Sequence, residues 1–290
     1  MISNRITFSV AFASLPHPVG DAWQTIVTIL ESNRCLPEIF FMSQIAGYPE
    51  EKQAEKLLQL DAIGVKRVID DRNLNGFHVN TGNSENSISF WLADIKNTDN
   101  TALLTVRVEN KTKAPPSWNA LIEGLIVQWP CIGAWQSNNL YSAWQNTGDP
   151  VSYQRRYGSM PPAIEHYEIN GACSPRTRMR LPNAPGRTST ILPAIDFYPS
   201  AEMWLGPHFW QYAKCTKEEA LAADFFIEKR DTSHFLYLKC WPTAFTRPDG
   251  EQGRMQQRLW KLFFLEDCEW PPGSGTICDE PMYGPPELMP

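Results

Sequence analysis

The chain has 290 residues, of which 42% are hydrophobic, 12% aromatic and 20% charged. That mixture excludes a disordered or fibrous chain, and the length allows a sizeable core in one large domain or two smaller ones. Its 26 basic and 32 acidic residues give a formal charge of -6, which argues against a general nucleic-acid binder while leaving room for a local basic patch.

The first apolar stretch, residues 6–13, has two readings. Following Arg5, it could be a short signal-peptide core ending in small residues. Period two is the stronger pattern: Ile6, Phe8, Val10 and Phe12 fall on one face and Thr7, Ser9, Ala11 and Ala13 on the other, which favours a strand. Residues 18–32 read as a helix, with Trp23, Ile26, Val27 and Leu30 at helical spacing. A short apolar run follows at 39–42. Pro49, Glu50 and Glu51 then open an expected second helix through Leu60, with Gly64 at or beyond its end. Residues 72–87 are polar and rich in Asn and Gly, so turn and loop are expected, with room for a short strand at 77–79.

Two strands at 88–93 and 102–108 come next. Pro115, Pro116 and Ser117 lead into a helix carrying Leu121, Ile122, Leu125, Ile126 and Trp129, closed by Pro130. Late in the chain the same order returns. Residues 225–228 and 235–241 are strand-like, a turn falls at 248–250, and a helix at about 252–265 presents Met255, Leu259, Leu262 and Phe263. The expected fold is α+β, with mixed or antiparallel sheets and packed helices; two similarly built lobes are one arrangement of it. The corresponding division is an N-terminal α+β lobe at 1–132, a loop-rich connector or insertion at 133–199 rich in Pro, Gly and Arg, and a C-terminal α+β lobe at 200–290 with an acidic, aromatic tail. Aromatic residues within 133–199, among them Trp135, Trp144, Tyr153 and Tyr157, favour loops packed on the body over a free tether. Around the bend at Gly206 and Pro207, Trp204, Phe209, Trp210 and Tyr212 read as core before groove.

No run of 18 apolar residues occurs, so no membrane-spanning helix is expected. The seven cysteines, at 35, 131, 173, 215, 240, 268 and 278, are odd in number and contain no C-x-x-C. Mostly free thiols in a cytoplasmic protein are expected, with a Cys268–Cys278 pair left open.

The chain carries no established chemical motif. His17, His78, His166, His208 and His234 are scattered, and the run from Glu165 to Glu168 falls short of a zinc ligand set. There is no phosphate-cradling glycine loop and no G-x-S-x-G. No metal, cofactor or catalytic residue is therefore assigned. Charge is segregated instead. Arg155, Arg156, Arg176, Arg178, Arg180 and Arg187 crowd the middle, either as phosphate contacts or as braces for loops. From Glu266 onward Glu266, Asp267, Glu269, Asp279, Glu280 and Glu287 meet no basic residue, and Trp270, Met282 and Tyr283 lie among prolines. Acids interleaved with aromatics suit a cationic protein partner, and they equally suit a tail kept soluble by its charges.

The layout resembles the immunity protein 52 family, bacterial proteins that neutralise toxins delivered by contact-dependent or type VI secretion systems. The likeness rests on chain length, absence of a leader, α+β alternation and the Trp204-Leu205-Gly206-Pro207 bend. It implies a cytoplasmic, non-enzymatic protein that binds and occludes a cognate toxin, such as a nuclease with a basic cleft. No interface residue is carried over from the family. On the residues alone, the partner-binding candidates are Glu266, Asp267, Glu269, Trp270, Asp279, Glu280 and Tyr283. Two other readings are kept: a hydrolase-like enzyme with a pocket of dispersed His and acidic residues, such as His208 and His234, and a nucleic-acid module centred on Arg176, Arg178 and Arg180.

Overall fold

Alternating apolar residues and helical stripes resolve into one large antiparallel sheet in a computed structural model. The structure describes residues 4–34, 36–42, 58–81, 86–95, 101–110, 118–146, 150–158, 165–170, 175–180, 184–187, 189–192 and 195–264. The strands of the sheet are β1 (Asn4–Phe12), β2 (Phe40–Met42), β3 (Leu58–Leu60), β4 (Gly76–Asn80), β5 (Asn86–Asp94), β6 (Ala102–Asn110), β7 (Cys131–Asn138), β12 (Glu202–Leu205), β13 (Glu228–Asp231) and β14 (Leu236–Lys239). Their spatial order is β13-β14-β12-β7-β1-β6-β5-β4-β2-β3, and every neighbouring pair is antiparallel. Two hairpins stand apart from it: β8 (Glu165–Asn170) with β9 (Pro175–Arg180), and β10 (Ser189–Leu192) with β11 (Ile195–Phe197). The expected α+β class with an antiparallel sheet and packed helices is what the chain forms.

The period-two reading of the first stretch decides the middle of the sheet. Phe8, Val10 and Phe12 point to the first face and join α1 (Val19–Ser32), α2 (Ala62–Asp71) and α3 (Trp118–Gln128) in one apolar cluster. In α1 the stripe of Val19, Trp23, Ile26, Val27 and Leu30 is buried, and Trp23 meets Phe40, Phe77 and Phe90 edge-on at 5.1–5.9 Å. Each such fully buried large side chain contributes about 2–3 kcal/mol of transfer free energy. The helix ends where Asn33 turns its amide onto the Ile29 carbonyl and Arg34 enters the left-handed region at φ 55°.

Among the described residues, cover on the second face lies at one end. Ala11, Trp135, Met203, Leu205, Leu236 and Leu238 pack there against α4 (Asn139–Asn146), β11 and α7 (Gly250–Phe263). Among the described residues the other two α-helices are α5 (Pro150–Tyr157) and α6 (Lys217–Ala222). Thr216 starts α6 with a reciprocal cap: its hydroxyl accepts from the Glu219 N–H, and the Glu219 carboxylate accepts from the Thr216 N–H. Among the described residues no helix is long and apolar enough to cross a membrane.

Several local expectations changed. The expected helix from Pro49 lies outside the described residues as far as position 57, and its last three residues are strand β3. The helix begins instead at Ala62. Asp61 caps it by accepting from the Gly64 N–H at 2.6 Å, and Val65 and Ile69 supply a buried i, i+4 pair. Gly64 therefore lies inside the helix rather than ending it. Late in the chain, the strand expected at 225–228 forms three residues later, at Glu228–Asp231. The Phe225 and Phe226 rings lie tilted with centroids 4.5 Å apart, with Phe226 buried in the core, while the exposed Glu-Lys-Arg-Asp run becomes the edge strand β13. Such a charged edge discourages pairing with another chain.

Part of the proline-rich middle is firmly seated. Ala184, Pro185 and Gly186 are buried, the Gly186 N–H donates to Gln145 Oε1 at 2.9 Å, and Trp260 Nε1 donates to the Pro185 carbonyl at 2.9 Å. Arg187 lies 4.2 Å over the Trp260 ring.

The described cysteines, Cys131, Cys215 and Cys240, are free and buried. Burial pushes all three thiols up, Cys215 to about 11 and Cys240 to about 12. Native protein is accordingly expected to leave these three unalkylated by iodoacetamide at mildly alkaline pH, with labelling only after unfolding. Peptide mass spectrometry checks this, and rapid native labelling of Cys131 or Cys240 would contradict the packing described.

Candidate functional site

The densest polar chemistry lies on the first face, where α3 crosses β12, β14 and β13. Alternation along β12 puts Glu202 and Trp204 on the same side, facing α3, while Met203 and Leu205 enter the opposite core. Glu202 is 5% exposed. Its Oε1 accepts from the Tyr237 hydroxyl and from Asn119 Nδ2, and its Oε2 accepts from Gln136 Nε2 at 2.6 Å. One turn along α3, Glu123 accepts from Trp204 Nε1 at 3.1 Å and from both terminal nitrogens of Arg230 at 2.6 and 3.0 Å. The guanidinium also lies 5.0 Å over the Tyr237 ring.

The electrostatics follow from these partners. The Arg230 fork holds the Glu123 carboxyl below its ordinary value, with a further contribution from Trp204, against the opposing effect of burial. Arg230 is raised in turn by Glu123. Burial and the hydrogen bond to Glu202 push the Tyr237 phenol well above its usual value. Each carboxylate accepts three hydrogen bonds from the protein, so the cluster works as a clasp that ties α3 to three strands. A group whose pKa rises on folding stabilises the fold at lower pH. The Tyr237 contribution is thus complete below about pH 10, the unfolded phenol's range, and is lost as pH climbs towards the folded value. Tyr237→Phe is expected to flatten the alkaline loss of stability relative to wild type, measured by urea unfolding across that range; equal slopes would contradict it.

A different surface occupies the second face, on β6, β5, β4 and β2, beyond the part that α4 and α7 cover. Register builds two rows across the strands. One runs Ser137–Thr7–Arg107–Ser89–Asn80–Phe41, the other Trp135–Ser9–Thr105–Trp91–His78. Trp91 is 52% exposed and Arg107 is exposed, while His78, Asn80, Ser89 and Phe41 are half-buried. The His78 and Trp91 rings lie 6.2 Å apart. Burial, and secondarily Arg107, lowers the His78 pKa, so the imidazole is neutral at pH 7. A small cleft nearby, lined by Ser137, Asn138, Tyr141, Tyr198 and Ser200, has room for about one water molecule. Tyr198 donates to Ser137 within it at 2.9 Å.

The seven candidates from the acidic tail, Glu266, Asp267, Glu269, Trp270, Asp279, Glu280 and Tyr283, lie outside the described residues. Arg176, Arg178 and Arg180 occupy alternate positions of β9, in register with Ile169, Tyr167 and Glu165. His208 and His234 are both exposed, one in a short 3-10 turn and the other in the loop before β14. Among the described residues no three His, Cys, Asp or Glu side chains gather as a metal-holding group. The aromatic bend is core as expected: Trp204 and Phe209 are fully buried, and Trp210 and Tyr212 are half-buried. Sequence reasoning missed the Glu202 and Glu123 clasp. Its one local signal was an acidic residue two positions before Trp204 in an otherwise apolar strand.

By fold, the chain is a mixed α+β protein built on a wide antiparallel sheet. No protein-family model matches it, and no curated protein matches it either. Among solved structures it is similar to the Pseudomonas aeruginosa T6SS protein PA0821, with a TM-score of 0.47 at 9% identity, covering 88% of this chain and 72% of that one. A likeness at that TM-score carries no functional argument. The immunity protein 52 resemblance therefore enters below as part of a proposal.

Proposed function

We propose that this chain is an immunity protein that binds and occludes a cognate bacterial toxin, of the nuclease type delivered by type VI secretion, without catalysis of its own. The observation that carries the reading is the acid-only, aromatic-bearing segment that follows α7. Its six carboxylates and Trp270 suit a basic, substrate-binding cleft, with the charges steering encounter and the aromatics anchoring. The segment leaves a fixed point, because Phe263 and Phe264 at its root are buried in the core. A folded body joined to a strongly charged segment blocks a cleft without reacting in it. The resemblance in layout and in the Trp204–Pro207 bend supports the same reading, as does the use of the Glu202 and Glu123 carboxylates in hydrogen bonds within the protein.

The test is calorimetric titration against the product of the adjacent toxin gene. Nanomolar binding is expected, weakened about tenfold or more when Glu266, Asp267 and Glu269 are changed to Lys, with Trp270→Ala also weakening it. Absence of binding to that product would sink the proposal.

A further inference from the structure

The turn between α2 and β4 leaves one asparagine between two fixed points. Behind it, the Leu74 N–H donates to the Ile69 carbonyl at 3.1 Å, and the Leu74 side chain is buried. Ahead of it, Gly76 is buried and begins the pairing of β4 with β5, opposite Ala93. Asn75 is exposed and stands outside that pairing. The backbone nitrogen that follows it belongs to a glycine, so no Cβ hinders approach to it.

Register decides which way that nitrogen points. The Thr81 N–H donates to the Ile88 carbonyl at 3.1 Å, continuing the register that sets Asn80 opposite Ser89. Hydrogen-bonded and non-hydrogen-bonded pairs alternate along an antiparallel ladder. Thr81, Val79 and Phe77 therefore turn their N–H groups to β5, whereas Asn80, His78 and Gly76 turn theirs away. The Gly76 N–H thus lies on the β2 side of the strand, where among the described residues β2 pairs only with Asn80 and Val79. The β4–β5 ladder does not hold it. The fold also fixes the glycine, because a Cβ there would stand 2.4 Å from the Leu92 carbonyl oxygen, which is rigid backbone.

We infer that Asn75 is a site of spontaneous covalent modification, deamidating through Gly76 in the folded protein. The Gly76 nitrogen gives up its proton and attacks Asn75 Cγ. A bond forms between that nitrogen and Cγ, the Cγ–Nδ2 bond breaks, and the side-chain amide nitrogen leaves as ammonia. The five-membered imide then takes up water at one of its two carbonyls. Opening at Cγ gives aspartate, and opening at the main-chain carbonyl gives isoaspartate. Either product adds one negative charge to a turn that already follows Asp70 and Asp71. Isoaspartate also lengthens the main chain by one carbon at the entry to β4, where Gly76 sits tight against Leu92. Ageing of the chain accordingly starts at this strand.

The experiment warms the full chain in native buffer for several days at neutral and alkaline pH. Peptide mass mapping then follows Asn75, and labelling by an isoaspartyl methyltransferase identifies the isoaspartate. The Asn75 peptide is expected to gain one mass unit and to resolve into two products, isoaspartate the larger. The rate should rise about tenfold per pH unit, because the attacking amide must lose its proton far below its own titration range. Asn75→Gln should lose both the mass change and the label, and should keep a denaturant midpoint that aged wild type loses. Asn75 remaining intact in the folded chain, while a synthetic peptide spanning the turn converts under the same conditions, would overturn the inference. Conversion confined to Asn170 would overturn it equally.

Discussion

Glu202→Ala is expected to destabilise the protein by about 3 kcal/mol or more, because it strands a buried phenol and two amides at once. Tyr237 is 2% exposed and loses its acceptor outright, whereas the half-buried Asn119 and Gln136 can partly turn to water. Tyr237→Phe removes one donor and leaves the carboxylate its two amides, so it should cost about 1–2 kcal/mol. In the double variant the two losses should fall short of adding, since both remove the same contact. Urea unfolding of the three variants measures this. Strict additivity would mean that Glu202 and Tyr237 do not act as a pair.

Gly206→Ala is the second large effect, for a steric reason. A Cβ at Gly206 would stand 2.0 Å from the Cys131 carbonyl oxygen and 2.8 Å from its carbon, both rigid backbone. The Gly206 N–H already donates to the Ile132 carbonyl at 3.0 Å, so the two strands cannot separate without breaking that bond. The expected cost is about 3 kcal/mol, the upper range for overpacking, read as a fall in denaturant midpoint at unchanged slope. The glycine of the Trp-Leu-Gly-Pro bend is thus required by close backbone approach, whereas its Trp is required by the core and by Glu123.

The elements legible in the sequence are those whose burial is one-sided. β1 and α1 show period two and a helical stripe because one face of each meets the core and the other does not, or does so less. β7 was not legible. It runs through the centre of the sheet, and Cys131, Ile132, Ala134 and Trp135 are buried on its two faces, so it shows a continuous apolar run inside a Pro/Gly-rich stretch. Its partner β1 lies more than a hundred residues away, and no local pattern reports such a pairing. Similarly, Leu58–Leu60 is drawn into the sheet by β2, against an apolar spacing that fitted a helix.

The polar clasp was hidden for a related reason. Glu123 sits beside Leu121 and Ile122 on α3 like any solvent-facing acid, and only the approach of Arg230 and Trp204 from strands at the far end of the chain gives it partners. The grouping of Trp91, Arg107 and His78 was equally invisible, because the three become neighbours only through register.

The proposed toxin neutralisation is tested most directly by titrating a toxin encoded beside this chain's gene with the chain itself, reading toxin activity against molar ratio. Activity is expected to fall linearly and vanish at one chain per toxin, as occlusion by a tight binder requires. Undiminished activity at excess chain, or complete loss at a small fraction of an equivalent as an enzyme would produce, contradicts it.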